Sequence, residues 1–183
     1  GIVMDISEIG GHVVWFLNIR SIGQERIGIE EAVKNGKNFL EMAGYSNMEP
    51  TGSLRESNTV TITFVPKSGD VLLYPDFVKV EVALDNGQVV GMDAAGYLTL
   101  HTKRQLSEFK ITQEYVRKKI NKNLEVKRIR KVLIPDMNTK EILCFEIDAK
   151  LNNERFFIYV NAENGNEERI LKVVETDKGT MTM

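Results

Sequence analysis

Two histidines, His12 and His101, and one thiol, Cys144, are the whole stock of imidazole and sulfur nucleophiles in these 183 residues. A structural or catalytic zinc site needs such donors at close, patterned spacing, and none of the three stands in that spacing to another. A Cys-His pair would require an exposed thiol whose thiolate is stabilised. Ile142, Leu143 and Phe145 around Cys144 mark it instead as a small core residue on a strand, and a lone cysteine closes no internal disulfide. Carboxylates are more plentiful. Glu30-Glu31 and Glu167-Glu168 are adjacent acid pairs, and glycoside hydrolysis asks only for two acids ~5–9.5 Å apart. On a solvated helix face and beside a turn, both pairs read as surface charge. No Gly-x-Ser-x-Gly elbow and no phosphate-cradling glycine loop is present. This inventory implies no catalytic residue, no metal and no cofactor.

What remains is binding chemistry. The stretch from Gly96 to Glu108 carries Tyr97, His101, Lys103 and Arg104. An aromatic ring and several cations on a connector suit an acidic partner surface, so these four are the candidate partner-binding residues. The plainer alternative is a hydrated linker with Tyr97 packed at a module boundary. A second feature is Val13-Val14-Trp15-Phe16-Leu17, a long apolar run for a half-exposed strand. It packs inside the missing half of its module or against the next one, or, if exposed, forms an interaction patch.

The elements that would position these residues repeat along the chain. Leu84-Asp85-Asn86-Gly87 follows the alternating run Phe77 to Val82, and Ala162-Glu163-Asn164-Gly165 follows Phe156 to Val160. Asn-Gly offers the two positive φ angles of a type I′ turn, so each segment predicts an antiparallel hairpin. A third copy, Val3 to Leu17 through Gly10-Gly11, reads with a turn one residue longer; Gly11, Gly87 and Gly165 stand 76 and 78 residues apart. Such a period is the mark of a repeat architecture. Upstream of the first complete hairpin, Ile29, Ala32, Val33, Gly36, Phe39, Leu40 and Ala43 form one helical stripe, stopped by Gly44. Upstream of the next, Thr112 caps a shorter helix running through Val116 and ending near Asn121. Two further strands fall between helix and hairpin in each copy, around Met48 to Leu54 and Thr59 to Val65, then around Leu124 to Ile134 and Glu141 to Ile147. The expected class is α+β, in tandem modules of one helix packed on a small antiparallel sheet of about four strands. Residues 1–22 would be the closing hairpin of a truncated module, 23–100 a complete module, and 101–183 another.

Composition bounds the partner. Hydrophobic residues make up 42% and charged residues 27%, the proportions of a folded globular domain. Lys and Arg total 24 against 26 Asp and Glu, a net charge of −2, so no domain-wide field favours nucleic acid. No apolar run approaches the ~18 residues of a spanning helix, and no signal-peptide pattern opens the chain. The chain begins mid-pattern without Met, which points to a piece of a longer protein.

Ile27-Gly28-Ile29-Glu30-Glu31-Ala32 with Val82 to Gly87, and Ile111-Thr112-Gln113-Glu114 with Val160 to Gly165, resemble PepSY modules. Gly10 to Trp15, Asn47 to Thr51, Tyr74-Pro75-Asp76, Gly96-Tyr97-Leu98 and the closing Gly179 to Met183 together resemble the C-terminal region of the YpeB family. The resemblance covers nearly the whole chain. It implies a non-enzymatic germination protein of the dormant spore, working with a cortex-lytic peptidoglycan hydrolase of the SleB type. It also implies a place on the outer side of the spore inner membrane, facing the cortex, with membrane attachment only through an N-terminal segment absent here. It offers no catalytic residue to carry over. A module that binds peptidoglycan or another wall ligand directly is the alternative, and a homo-oligomer is compatible with either.

Overall fold

The computed structural model describes residues 1–136, 140–176 and 179–182. Its elements in chain order are β1 (Ile2–Ile6), β2 (Val13–Asn18), α1 (Ile29–Met42), β3 (Met48–Glu56), β4 (Thr59–Ser68), β5 (Val71–Leu73), β6 (Val78–Ala83), β7 (Val89–Asp93), α2 (Ala95–Leu100), α3 (Gln113–Lys119), β8 (Glu125–Pro135), β9 (Glu141–Leu151), β10 (Glu154–Asn161), β11 (Glu167–Thr176) and β12 (Gly179–Thr182). A one-turn 3-10 helix, Tyr74–Asp76, lies between β5 and β6. The fold is mixed α/β. The chain divides into two compact units, one built chiefly from Gly1–Lys67 and Pro75–His101, the other from Ser68–Tyr74 and Thr102–Thr176.

In the first unit the strands run antiparallel in the order β1-β2-β7-β6-β4-β3. Residues 1–22, read from sequence as the end of another module, extend this sheet through the pairing of Trp15–Leu17 with Gly91–Asp93. Helix α1 lays Ala32, Gly36 and Leu40 onto the sheet, over a core of Ile62, Phe64, Val80 and Val82. Gly36 permits that closeness, since a Cβ there would lie 3.2 Å from the Phe64 ring. The helix ends as its sequence requires. Gly44 takes φ +91° and the Tyr45 N–H reaches back to the Leu40 carbonyl at 2.8 Å, a Schellman closure.

The second unit orders its strands β11-β10-β9-β8-β5. Four of them form an antiparallel meander. The fifth departs from the expected all-antiparallel module: β5 pairs in parallel with β8, Val71 opposite Lys131 and Leu73 opposite Leu133. Central strand β9 is buried on both faces. Phe145, Ile147 and Ala149 point to the core under α3, while Cys144, Glu146 and Asp148 point the other way. The Thr112 hydroxyl accepts from the Tyr115 N–H at 3.2 Å and caps α3. Burial pushes the Cys144 thiol up to about 12, consistent with an inert core residue.

The Asn-Gly hairpins form, but not through type I′ turns. Only Gly87 and Gly165 take positive φ, +75° each, while Asn86 and Asn164 do not. Each loop has four residues: the Ala83 N–H bonds the Gln88 carbonyl and the Gly87 N–H bonds the Ala83 carbonyl, and Asn161, Asn166 and Gly165 repeat the pattern. Each asparagine side chain accepts the N–H two residues on, Gln88 or Asn166, which holds the asparagine in the turn and leaves the left-handed position to glycine. The first hairpin is not longer. Its Ser7 N–H bonds the His12 carbonyl at 2.8 Å across the same four-residue span.

Candidate partner-binding surface

The first of the expected binding residues sits on a helix rather than on a connector loop. Asp93 accepts from the Ala95 N–H at 3.0 Å, the turn then winds into α2, and the His101 N–H closes it on the Tyr97 carbonyl. Gly96 lets this short helix approach the ring of Phe77, which a Cβ would meet at 3.1 Å. The result is a rigid mount for Tyr97. Its ring stacks on His101 at 4.3 Å and 12°, and meets Tyr45 edge-on at 5.0 Å.

His101 is anchored in turn. Its Nδ1 lies 2.7 Å from Oδ2 of Asp76, a carboxylate with no solvent exposure. Burial, and after it the neighbouring Asp76 charge, raises the Tyr97 phenol above its ordinary range, so Tyr97 stays neutral. These rings border a groove of about 590 Å³ within the first unit. Phe16, Phe39, Met92 and Leu98 form its apolar floor and wall, and His12 joins the rim. An apolar groove with a few fixed polar tips suits a protruding side chain of a partner.

Lys103 and Arg104 belong to the second unit. Lys103 is exposed. Arg104 is engaged, its Nε and Nη2 donating to both oxygens of Glu141 at 2.8 and 2.7 Å. Of the four expected residues, then, only Tyr97 and His101 are assembled into one site. Arg104 lies beside a second groove, about 760 Å³, bordered by Leu106, Lys110, Leu133, Asn161 and Glu163.

The strongest polar constellation was not among the expected residues. On the face of the second unit turned away from α3, the Glu146 carboxylate is almost fully buried and accepts from Tyr74 Oη at 2.5 Å, Tyr159 Oη at 3.0 Å and Arg130 Nε at 2.9 Å. Arg130 Nη2 also donates to the Tyr74 oxygen at 2.9 Å. Arg130, Glu146 and Tyr159 are register partners across β8, β9 and β10, which is why they meet. Burial, then the Glu146 charge, drives both phenols well above their usual range. They remain proton donors at any physiological pH. One register step along, Asp148 pairs bidentately with Arg155; burial opposes its ionisation, but the Arg155 hydrogen bond and charge outweigh it and hold the carboxyl low. The available signal in sequence was acids placed mid-strand within the apolar run Leu143 to Ala149.

Among the described residues, no group of three or more His, Cys, Asp or Glu is arranged to hold a metal, and no helix is long and apolar enough to cross a membrane.

Comparison with known proteins meets this geometry. Residues 1–107 match the family described as YpeB sporulation, PepSY1 and PepSY2 domains, and residues 110–171 match the peptidase propeptide and YPEB domain. Sporulation protein YpeB of Halalkalibacterium halodurans is 37% identical over 95% of this chain, and that of Bacillus subtilis 33% identical over 94%. The chain spans about two fifths of these relatives, 39% of each. The solved Bacillus megaterium YpeB C-terminal domain superposes with a TM-score of 0.85 at 31% identity, covering 93% of this chain and 76% of that one. The chain belongs to the YpeB sporulation family, as its C-terminal, PepSY-bearing region.

Proposed function

We propose that this chain is a non-enzymatic binding module of the dormant spore that holds and restrains a cortex-lytic peptidoglycan hydrolase of the SleB type. The observation that carries the reading is the match of residues 110–171 to a domain described by its occurrence in peptidase propeptides. A propeptide acts by occupying the enzyme it accompanies, and it needs a docking surface rather than reacting groups. The first unit offers such a surface in the groove beside Tyr97 and His101, preformed by stacking and by the buried Asp76 anchor. Relatives named as sporulation proteins support a spore-associated role. On this reading the chain works on the outer side of the inner membrane, facing the cortex, where the hydrolase meets its substrate.

Titrating the chain into a cortex-hydrolysis assay with the cognate enzyme tests this. Restraint appears as saturable loss of turnover with no digestion by the chain alone. Unchanged turnover together with no measurable binding contradicts it. Retention of the chain on purified cortex sacculi without the enzyme would favour direct recognition of the wall instead.

A further inference from the structure

The two units carry the same helix-over-sheet plan with helices of very different length, and the difference leaves a gap. Helix α1 has 14 residues and α3 has 7, which at 1.5 Å per residue is a deficit of ~10 Å, about two turns. In the first unit those two turns matter: Phe39 and Leu40 lie over the sheet, Phe39 meets Phe16 at 5.8 Å, and Met92 on β7 is only 6% exposed. The residue at the same place in the second unit, five beyond the left-handed glycine of its hairpin, is Ile170 on β11. It is 52% exposed.

Ile170 ends a ladder. Ile129, Ile147, Ile158 and Ile170 are successive register partners across β8, β9, β10 and β11, and so share the face that α3 covers. Ile129 is half-buried, Ile147 and Ile158 are buried, and Ile170 at the far end is open. Beside it lies a groove of about 390 Å³, walled by Tyr115, Ile120, Leu124, Ile158 and Val160. Helix α3 stops short because Ile120 turns extended and the Asn121 side chain takes the Asn123 N–H.

The end of α3 has a sign. Lys119 stands in the groove wall, and Arg117 and Lys118 before it and Lys122 three residues on make four cations within six residues that contain no acid; Glu114, one turn back, is the acid that Arg117 and Lys118 face. Glu167 is the acid in the groove wall. We infer that this groove of the second unit receives an acidic amphipathic helix of a partner protein, lying where the missing turns of α3 would lie, its apolar stripe on Ile158 and Ile170 and its acids against Lys119 and the cations that flank it at the end of α3. Helix-in-groove docking of this kind reads apolar anchors at helical spacing, with charge setting orientation. The inference rests on the reading of the chain as a binding module, and adds the site and the chemistry of what enters it.

The probe is a stapled peptide of residues 29–42 carrying Lys34→Glu and Lys37→Glu, the segment that covers the equivalent face in the first unit. Added to the isotope-labelled chain, it is expected to bind saturably and to shift amides of residues 115–124 and 158–170. The triple change Lys118→Glu, Lys119→Glu, Lys122→Glu, and separately Ile170→Glu, should each weaken it at least about tenfold with unchanged circular dichroism. A peptide with its acids changed to Lys should bind worse by a similar factor. No binding, or binding insensitive to both variants, overturns the inference. So does capture of anionic phosphatidylglycerol vesicles through the same lysines without peptide binding, or self-association through Ile170. The hydrolase separates the two levels: if it binds the variants as well as the unaltered chain, this groove is excluded while the proposed function stands, and if it binds neither, the proposed function fails while the peptide still decides the groove.

Discussion

Glu146 shows how much a single buried charge depends on its neighbours. Three donors satisfy its carboxylate, and Arg130, itself largely buried, is its counter-charge. Removing one partner of a buried pair strands the other, at a cost of ~3–5 kcal/mol. Glu146→Ala should therefore lose that much stability in urea denaturation, whereas Tyr74→Phe, which deletes one hydroxyl donating to the charged carboxylate, should lose about 1.5–3 kcal/mol; a loss for Tyr74→Phe as large as that for Glu146→Ala would contradict the network. Sequence offers only the acids set mid-strand in the apolar run Leu143 to Ala149, and such an acid reads as a solvent-facing residue until register places Arg130 and Tyr159 beside it. Asp85 makes a pH prediction of definite sign. The Arg20 guanidinium, and after it the Gly23 N–H, holds its carboxyl well below the usual range. Its stabilising effect is then complete above an ordinary aspartate pKa of ~3.9 and is lost as pH falls below it. Asp85→Asn should melt below the unaltered chain at about pH 6, and the gap should narrow progressively as pH falls below about 4, with part of it still present at about pH 2.5; a gap that stays constant contradicts the assignment.

At the scale of elements, local chemistry announced most of what formed. The 3.6-residue stripe from Ile29, the Gly44 stop, the Thr112 cap and the three glycine-centred hairpins all appear in the structure. Thr112→Ala should cost ~0.5–2 kcal/mol and speed hydrogen exchange in α3 more than in α1, which has no side-chain cap to lose at Gly28; equal effects would remove the cap from the account. Gly165→Ala is expected to be worse than a propensity change, since it forces alanine into a left-handed φ and a Cβ to within 2.9 Å of the Tyr115 ring. What escaped were elements without local signals. The three residues of β5 find their parallel partner about 60 positions away in β8, and a run so short has no period to read. Helix α2, in Ala95-Gly96-Tyr97-Leu98-Thr99-Leu100, holds a glycine and two residues of middling propensity, and forms because Tyr97 and Leu98 pack on the first unit's core. That packing converted a presumed connector into the mount of the candidate site. It also divided the four expected residues, leaving Tyr97 and His101 in one unit and Lys103 and Arg104 in the other.

For the molecule as a whole, the repeats are variations on one plan whose differences carry the functional reading. The first unit has a long helix and a preformed aromatic groove; the second has a short helix with a cationic last turn and an apolar ladder open at one end. Near-neutral net charge leaves recognition to these local surfaces rather than to a long-range field. Tyr97→Ala tests the first of them: loss of the stacked ring should weaken hydrolase binding by a few-fold to tens of fold, with structural change confined to α2 and its neighbours. Unaltered affinity would move the interaction off this groove. The most direct measurement of the central claim is light scattering of a size-exclusion run on the chain mixed with its cognate cortex hydrolase. One species with the summed mass of both proteins is the expected result, and two species eluting independently at concentrations well above micromolar would contradict it.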